Sequence, residues 1–139
     1  EPLELKPREF HALLAGRRRR IKPLLMDQRA IAGLGNIYVD ESLFDAGIHP
    51  LARAGDLTAA RTRRLLAAIQ RVLRRAIRSK GSTLLDYRRA DGESGGFQRL
   101  FRVFRRTGEP CPRCGTTIQR LVIGGRSSHV CPKCQTGGT

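Results

Sequence analysis

The 139-residue sequence contains no tryptophan, one methionine and only four cysteines. No apolar run approaches the ~20 residues that a membrane-spanning helix needs. The opening residues, Glu1-Pro2-Leu3-Glu4, have neither the basic start nor the apolar stretch of a secretory leader. No initiator methionine precedes them, so the expectation is a piece cut from a longer protein. Acidic residues are scarce as well. They number 12 against 27 lysines and arginines, which gives a net charge of +15 and a pI near 11.4. An excess of this size is more than a device for solubility. Such a field attracts a polyanion, and each phosphate it neutralises releases counterions. Nucleic acid is the expected partner, and an anionic membrane surface is the competing one. Arginine far outnumbers lysine, which suits bidentate phosphate contacts.

Groups equipped for catalysis are also missing. His11 falls on a surface helix, His49 precedes a proline, and His129 stands two residues before a cysteine. No nucleophile–base pair and no carboxylate dyad is evident. From its residues alone the chain reads as a binding module. Its length allows one modest core or two small ones.

Spacing predicts mostly helix. Pro7 to Ala15 forms a short one, with Phe10, Leu13 and Leu14 on one face and Gly16 as its stop. A basic run, Arg17 to Lys22, leads to a second helix over Leu24 to Ile31. Gly33-Leu34-Gly35-Asn36 breaks it. Asn36 is the expected N-cap of a helix that continues to Ala46, and Gly47 is its stop. The clearest helix runs from about Thr58 to Ser79. Its core stripe is Leu65, Leu66, Ile69, Val72, Leu73, Ala76 and Ile77, and Gly81 ends it. Ser82 to Asp86 starts another short helix, and Asp91 to Gly96 reads as a mobile loop. Phe97, Leu100, Phe101, Val103 and Phe104 are expected to seat the following unit on the helices.

Two motifs carry chemistry. Cys111-Pro112-Arg113-Cys114 and Cys131-Pro132-Lys133-Cys134 are tight pairs sixteen residues apart. Each pair points two thiolates at one ion, and together they form a closed tetrahedral site for one structural zinc. Two disulfides are the alternative. Thr116 to Ile123 has strand character, Gly124-Gly125 signals a hairpin turn, and Ser127 to Val130 returns. Arg126 then sits near the hairpin tip, suited to a groove or a phosphate. The second motif is the glycine-flanked turn at Gly33 to Asn36. It opens a helix, and its unpaired amides and dipole suit an anion.

The run Gly35-Asn36-Ile37-Tyr38-Val39-Asp40-Glu41-Ser42-Leu43-Phe44-Asp45-Ala46-Gly47-Ile48-His49-Pro50 resembles the helix–two-turn–helix signature of bacterial formamidopyrimidine-DNA glycosylases. Ile21 to Asp27, Gly96 to Gln98, Val103 to Arg106, Gly108 to Cys111 and Arg126 to Gln135 resemble the C-terminal half of that family in the same order. The resemblance covers nearly the whole chain. It implies a mainly α fold with a small β part: a helical helix–two-turn–helix domain over 1–95 and a four-Cys zinc hairpin over 96–139. The intact enzyme would excise oxidised purines, 8-oxoguanine and formamidopyrimidines, from double-stranded DNA and then cleave the abasic strand as a lyase. The N-terminal proline amine and glutamate of that chemistry have no counterpart here, since the Pro2 nitrogen is an amide.

By the same resemblance Asn36, Arg18, Lys22, Gly35 and Arg126 contact DNA. Arg126 also takes part in the second elimination, Cys111, Cys114, Cys131 and Cys134 hold the zinc, and the segment from Asp86 to Gly96 closes over the flipped base. The implied setting is a monomer in a bacterial cytoplasm, acting on oxidised or abasic DNA. Phe104-Arg105-Arg106 departs from the family's usual Tyr-Gly-Arg and lacks its phosphate-binding hydroxyl. Arg126-Ser127-Ser128 departs from Arg-x-Thr but keeps a hydroxyl. Two alternative functions stand beside this one: an endonuclease VIII-type enzyme acting on oxidised pyrimidines, and a non-catalytic zinc-ribbon nucleic-acid-binding protein.

Overall fold

The computed structural model describes residues 2–31, 33–78 and 101–138. The chain starts with a single 3₁₀ turn, Pro2–Glu4. Helix α1 follows at Pro7–Leu14. Pro7 occupies its first turn, where a missing N–H costs nothing. The Glu9 carboxylate accepts the Lys6 amide at 2.9 Å. Phe10 and Leu14 are buried, His11 is exposed, and Gly16 leaves the helix at φ +72°.

Helix α2 spans Ile21–Met26, earlier than the expected Leu24 to Ile31. Pro23 lies in the first turn of this helix, where no helical N–H bond is required, so a start at Ile21 accommodates it. The amides of Ile21 and Lys22 bond instead to the carbonyls of Ala52 and Pro50. Asp27 then stops the helix by accepting the Arg29 amide and turning the chain.

Helix α3 is Asn36–Ala46 and helix α4 is Ala59–Arg78. Gly35, not Asn36, is the N-cap of α3: its carbonyl accepts the Val39 amide at 3.0 Å, and Asn36 is already the first helical residue. The Asn36 side chain is thereby released from capping. Gly47 ends α3 at φ +72°, the left-handed position that suits glycine. Thr58 caps α4 by accepting the Arg61 amide.

Helix α4 packs on α1 and α3. Leu65, Leu66 and Ile69 join Phe10, Leu14, Leu24, Leu25, Val39 and Leu43 in the main core. The apolar stripe outlasts its cover, however. Val72, Leu73 and Ala76 are half-buried, and Ile77, expected in the core, is 61% exposed among the described residues.

Strands β1 (Gln119–Ile123) and β2 (Arg126–Val130) pair antiparallel, from Gln119 with Val130 to Ile123 with Arg126. Gly124 and Gly125 form the two-residue turn with φ +59° and +79°. Positive φ at both positions matches the right-handed strand twist. β1 starts later than the expected Thr116, because Thr116 accepts the Cys111 amide and Thr117 pairs with Pro110.

The hairpin has a small core of its own, and α3 contributes to it. Phe44 packs with Val103, Cys111, Ile118 and Cys131. The buried Glu41 carboxylate accepts three backbone amides, those of Arg102, Val103 and Phe104, at 2.9–3.0 Å. Gln135 donates to the Ile48 carbonyl and accepts the Cys131 amide. Phe101 and Phe104 meet edge to face at 5.7 Å and pack on Ile37, so these aromatics do seat the hairpin unit on a helix. The expected Gly81 stop, the short helix at Ser82 to Asp86, the loop from Asp86 to Gly96, and Phe97 and Leu100 lie outside the described residues, as does the 95/96 boundary.

Candidate nucleic-acid interface

The four sulfurs of Cys111, Cys114, Cys131 and Cys134 lie within 4.8 Å of one another, and none is in a disulfide. Cys111 and Cys134 are 3.9 Å apart and Cys114 and Cys131 3.5 Å. Zn–S bonds of about 2.3 Å in a tetrahedron give sulfur–sulfur edges of about 3.8 Å, so the set fits one ion. The amides of Arg113 and Cys134 point at the Cys111 and Cys131 sulfurs, each at 3.3 Å, as a thiolate pair requires. Hydrogen bonds from Thr116 draw the Cys114 thiol down to about 6, whereas burial and neighbouring thiols push Cys134 up to about 12. An ion entering this set must therefore expel protons. One structural zinc belongs here.

A surface groove of about 590 Å³ lies where the hairpin meets the start of α3. Asn36, Arg105, Arg120, Arg126 and Ser127 line it. Asn36 reaches it because Gly35 has taken over the cap. Its Nδ2 donates to the Ser127 carbonyl at 3.0 Å. The first amides of α3 have no intrahelical partner and face outward with the positive end of the helix dipole. A Cβ built on Gly35 would meet nothing within 4 Å, so the turn that opens α3 is uncrowded on that side.

The Ser127 carbonyl also accepts Lys22 Nζ at 3.0 Å. Lys22 is almost wholly buried and forms an ion pair with Asp40 at 2.7 Å. The other Asp40 oxygen takes the His129 amide and ring Nδ1, at 3.0 and 2.9 Å. One carboxylate on α3 thus joins α2 to the hairpin, with the Phe104 ring closing over His129 at 4.9 Å. Burial holds the Lys22 ammonium below its usual range, outweighing the upward pull of Asp40.

The structure brings Asn36 and Arg126 to one groove, and Gly35, exposed just before Asn36, is not among its lining residues. The Arg126 side chain is exposed and makes no hydrogen bond or ion pair among the described residues. Lys22 lies beneath that surface, enclosed by Asp40 and Ser127, so in this chain it is no exposed cation. Arg18 is exposed between α1 and α2, outside the groove lining. Its neighbours are engaged within the chain: Arg17 with Leu13, Arg19 with Asp27, and Arg20 with the distant Leu51. Sequence reasoning missed Asp40, Glu41 and His129. The available signal was burial: Val39, Leu43 and Phe44 face inward on α3, so acids at 40 and 41 needed partners.

The formamidopyrimidine-DNA glycosylase H2TH domain matches residues 1–87, and the zinc finger found in FPG and IleRS matches residues 108–137. The chain belongs to the formamidopyrimidine-DNA glycosylase family. It is 52% identical over 135 residues to the formamidopyrimidine-DNA glycosylase of Nitratidesulfovibrio vulgaris, covering 97% of this chain and 37% of that protein. It is 50% identical to the one from Solibacter usitatus, again over 97% of this chain and 51% of that protein. Among solved structures, a Lactococcus lactis Fpg (MutM) in complex with FAPY-dG-containing DNA superposes at a TM-score of 0.84 with 38% identity. It covers 98% of this chain and 50% of that one. The MutM (Fpg) protein of Thermus thermophilus gives 0.83 with 45% identity, covering 97% and 52%. The chain thus spans at most about half the length of these family members, the half holding the helix–two-turn–helix and the zinc hairpin.

Proposed function

We propose that this chain is the DNA-gripping C-terminal portion of a base-excision glycosylase with lyase activity, directed at oxidised purines. The observation that carries the reading is the joint groove: Asn36, at the start of α3, and the exposed Arg126 converge on it, in a chain of net charge +15. Solved relatives that superpose on the chain hold DNA containing carbocyclic 8-oxo-G, FAPY-dG or an abasic site. We extend that partner to this chain.

In this reading the Asn36 amide, with the α3 N-terminus before Gly35, holds a phosphodiester at the lesion. Arg126 holds a neighbouring phosphate and, in the intact enzyme, assists the second elimination. Arg18 touches the backbone further along the duplex. Lys22 acts from below, fixing the Ser127 carbonyl against which Asn36 is set. No residue of this chain matches the family's N-terminal proline amine or its glutamate, so in this reading the chain alone binds DNA as a monomer and does not cut it. It would work in a bacterial cytoplasm. No helix among the described residues is long and apolar enough to cross a membrane.

The test is fluorescence anisotropy with an abasic-analogue duplex and a plain duplex of the same sequence. The chain should prefer the abasic duplex, and Asn36→Ala and Arg126→Ala should each lose about tenfold, the scale of one charge-assisted contact. Equal affinity for both duplexes with unaltered binding by both variants would remove the assignment. Cleavage of an 8-oxoguanine strand by the pure chain would refute its inactivity.

A further inference from the structure

Helix α4 contains no acidic residue, not even in its first turn, where the positive end of the helix dipole would favour one. Its apolar side is committed to the core, where Leu65, Leu66 and Ile69 are buried against α1 and α3. Its other side carries Arg63, Arg64 and Arg74, all exposed. Arg63 and Arg74 stand about three turns apart and within about 20° of one another around the helix axis, with Arg64 about 100° from Arg63. The small Ala67 lies between them, also exposed.

Arginines on a solvated helix are ordinarily laced with acids three or four residues away. None occurs here, and Arg63, Arg64 and Arg74 have no hydrogen bond or ion pair among the described residues. Arg71 and Arg75 lie on the same side but have partners, Asp45 at 2.8 Å in the case of Arg71. The row is distinct from the groove: no residue of α4 lines it or the neighbouring hollow that Arg126 also borders. Because α4 meets α3 through its apolar side, the three arginines look away from α3, at whose first turn the groove opens. Duplex DNA is stiff over about 150 base pairs, so a short duplex seated in the groove does not fold back onto this face.

We propose that the outer face of α4 is a second DNA-binding surface, which takes the backbone of a second duplex while the first occupies the groove. The chemistry of the face selects this partner. A protein interface is anchored by aromatic or long apolar side chains, and the row offers only Ala67; Ile77, the exposed apolar residue of α4, lies a turn beyond it. A membrane-surface helix lays its apolar face into the lipid, and along this row that face, Leu65, Leu66 and Ile69, is buried in the core. A phosphodiester backbone asks for positive charge alone. The row spans about 16 Å, over which one strand of a duplex offers about five phosphates. The inference rests on DNA as the polyanion of this chain, and not on the roles given to Asn36 and Arg126. A chain that touches two duplexes at once passes from one to the other without returning to solution.

The test loads the 139-residue chain onto an immobilised abasic-analogue duplex at low salt and measures retention of a labelled plain duplex passed over it. The parent should retain the labelled duplex. The triple variant Arg63→Ala, Arg64→Ala, Arg74→Ala should load equally well but retain the second duplex about tenfold more weakly. Its plot of log affinity against log salt for the labelled duplex should flatten by up to about 2.7, or about 0.9 for each arginine. Arg53→Ala removes an exposed arginine outside α4 and should leave retention unaltered, whereas Arg63→Ala alone should lower it about twofold; that contrast separates the face from net charge. A parent that retains no labelled duplex, or a triple variant that retains it as the parent does, overturns the inference. So does binding of polyglutamate or of phosphatidylserine vesicles, in place of duplex, that the triple variant loses. Equal loading on abasic and plain duplexes, with retention still dependent on the α4 arginines, sinks the reading of the groove and spares this inference. Failure of the parent chain to bind any duplex sinks both.

Discussion

Replacing Asp40 with asparagine keeps the shape of the side chain and removes the charge on which three donors converge. Lys22 Nζ stands 2.7 Å from one oxygen, and the His129 amide and ring nitrogen stand 3.0 and 2.9 Å from the other. In the variant one of these groups must face an NH₂ instead of an oxygen, and the buried ammonium loses its counter-charge. Breaking one side of a buried ion pair costs about 3–5 kcal/mol, a large share of the ~5–15 kcal/mol stability of an ordinary domain. The loss should also depend on pH. Burial already lowers the Lys22 pKa in the fold below 10.5, and removal of Asp40 lowers it further. Between that lowered value and 10.5 the unfolded chain carries a proton that the folded chain has shed, so stability rises with pH across the window. The deficit of Asp40→Asn is therefore greatest below the variant's lowered Lys22 pKa and shrinks as pH climbs from there to the parent's own, less lowered value. Urea unfolding of the parent, Asp40→Asn, Lys22→Met and the double variant, at about pH 7 and about pH 9.5, measures this. The double variant should be more stable than the sum of the single losses implies, since no ammonium is left unpaired. A loss under ~1 kcal/mol near pH 7, or strict additivity, would refute the clasp.

Three further outcomes are expected. Chelating the metal should melt the hairpin while α1 to α4 persist, because their core forms a cluster apart from the cysteines; far-ultraviolet circular dichroism should keep most of its helical signal, and complete loss would show one indivisible unit. Glu41→Gln replaces one of the oxygens that accept three backbone amides with a donor, and should cost about 2–3 kcal/mol by chemical denaturation; a cost near zero would mean the 101–104 segment is held by other contacts. Gly35→Ala meets no atom of the chain, so it should change stability by less than about 1 kcal/mol yet weaken abasic-duplex binding by crowding the phosphate; undiminished binding would place the phosphate elsewhere.

The parts legible in the sequence were those fixed by local chemistry. The paired C-x-x-C spacing gave the metal set, Gly124-Gly125 gave the hairpin turn, and the periodicity of Leu65, Leu66 and Ile69 gave the core face of α4. Contacts between distant segments were not legible. Lys22 reads as part of a basic run with a DNA contact, and its burial does not show there because its partners, Asp40 and Ser127, lie 18 and 105 residues away. His129 read as a bystander beside a metal ligand because Asp40 is 89 residues off. The start of α2 at Ile21 is not legible locally, because the Ile21 and Lys22 amides are held by the distant carbonyls of Ala52 and Pro50. Asparagine favours a cap, so Asn36 reads as one in the sequence, whereas Gly35 fills that place and leaves the Asn36 amide for the groove. Ile77 fits the apolar spacing, but spacing says nothing of where the packing partner ends.

The central claim is that phosphate is gripped jointly by the start of α3 and by a hairpin that the metal holds in place. Its most direct measurement is the preference of the chain for an abasic-analogue duplex over plain duplex, taken before and after zinc is removed, at fixed salt. The account predicts that the preference collapses towards one in the metal-free chain, leaving only the salt-sensitive attraction of a basic protein for DNA, and that added zinc restores it. A metal-free chain with a melted hairpin and an undiminished preference for the abasic duplex would contradict it.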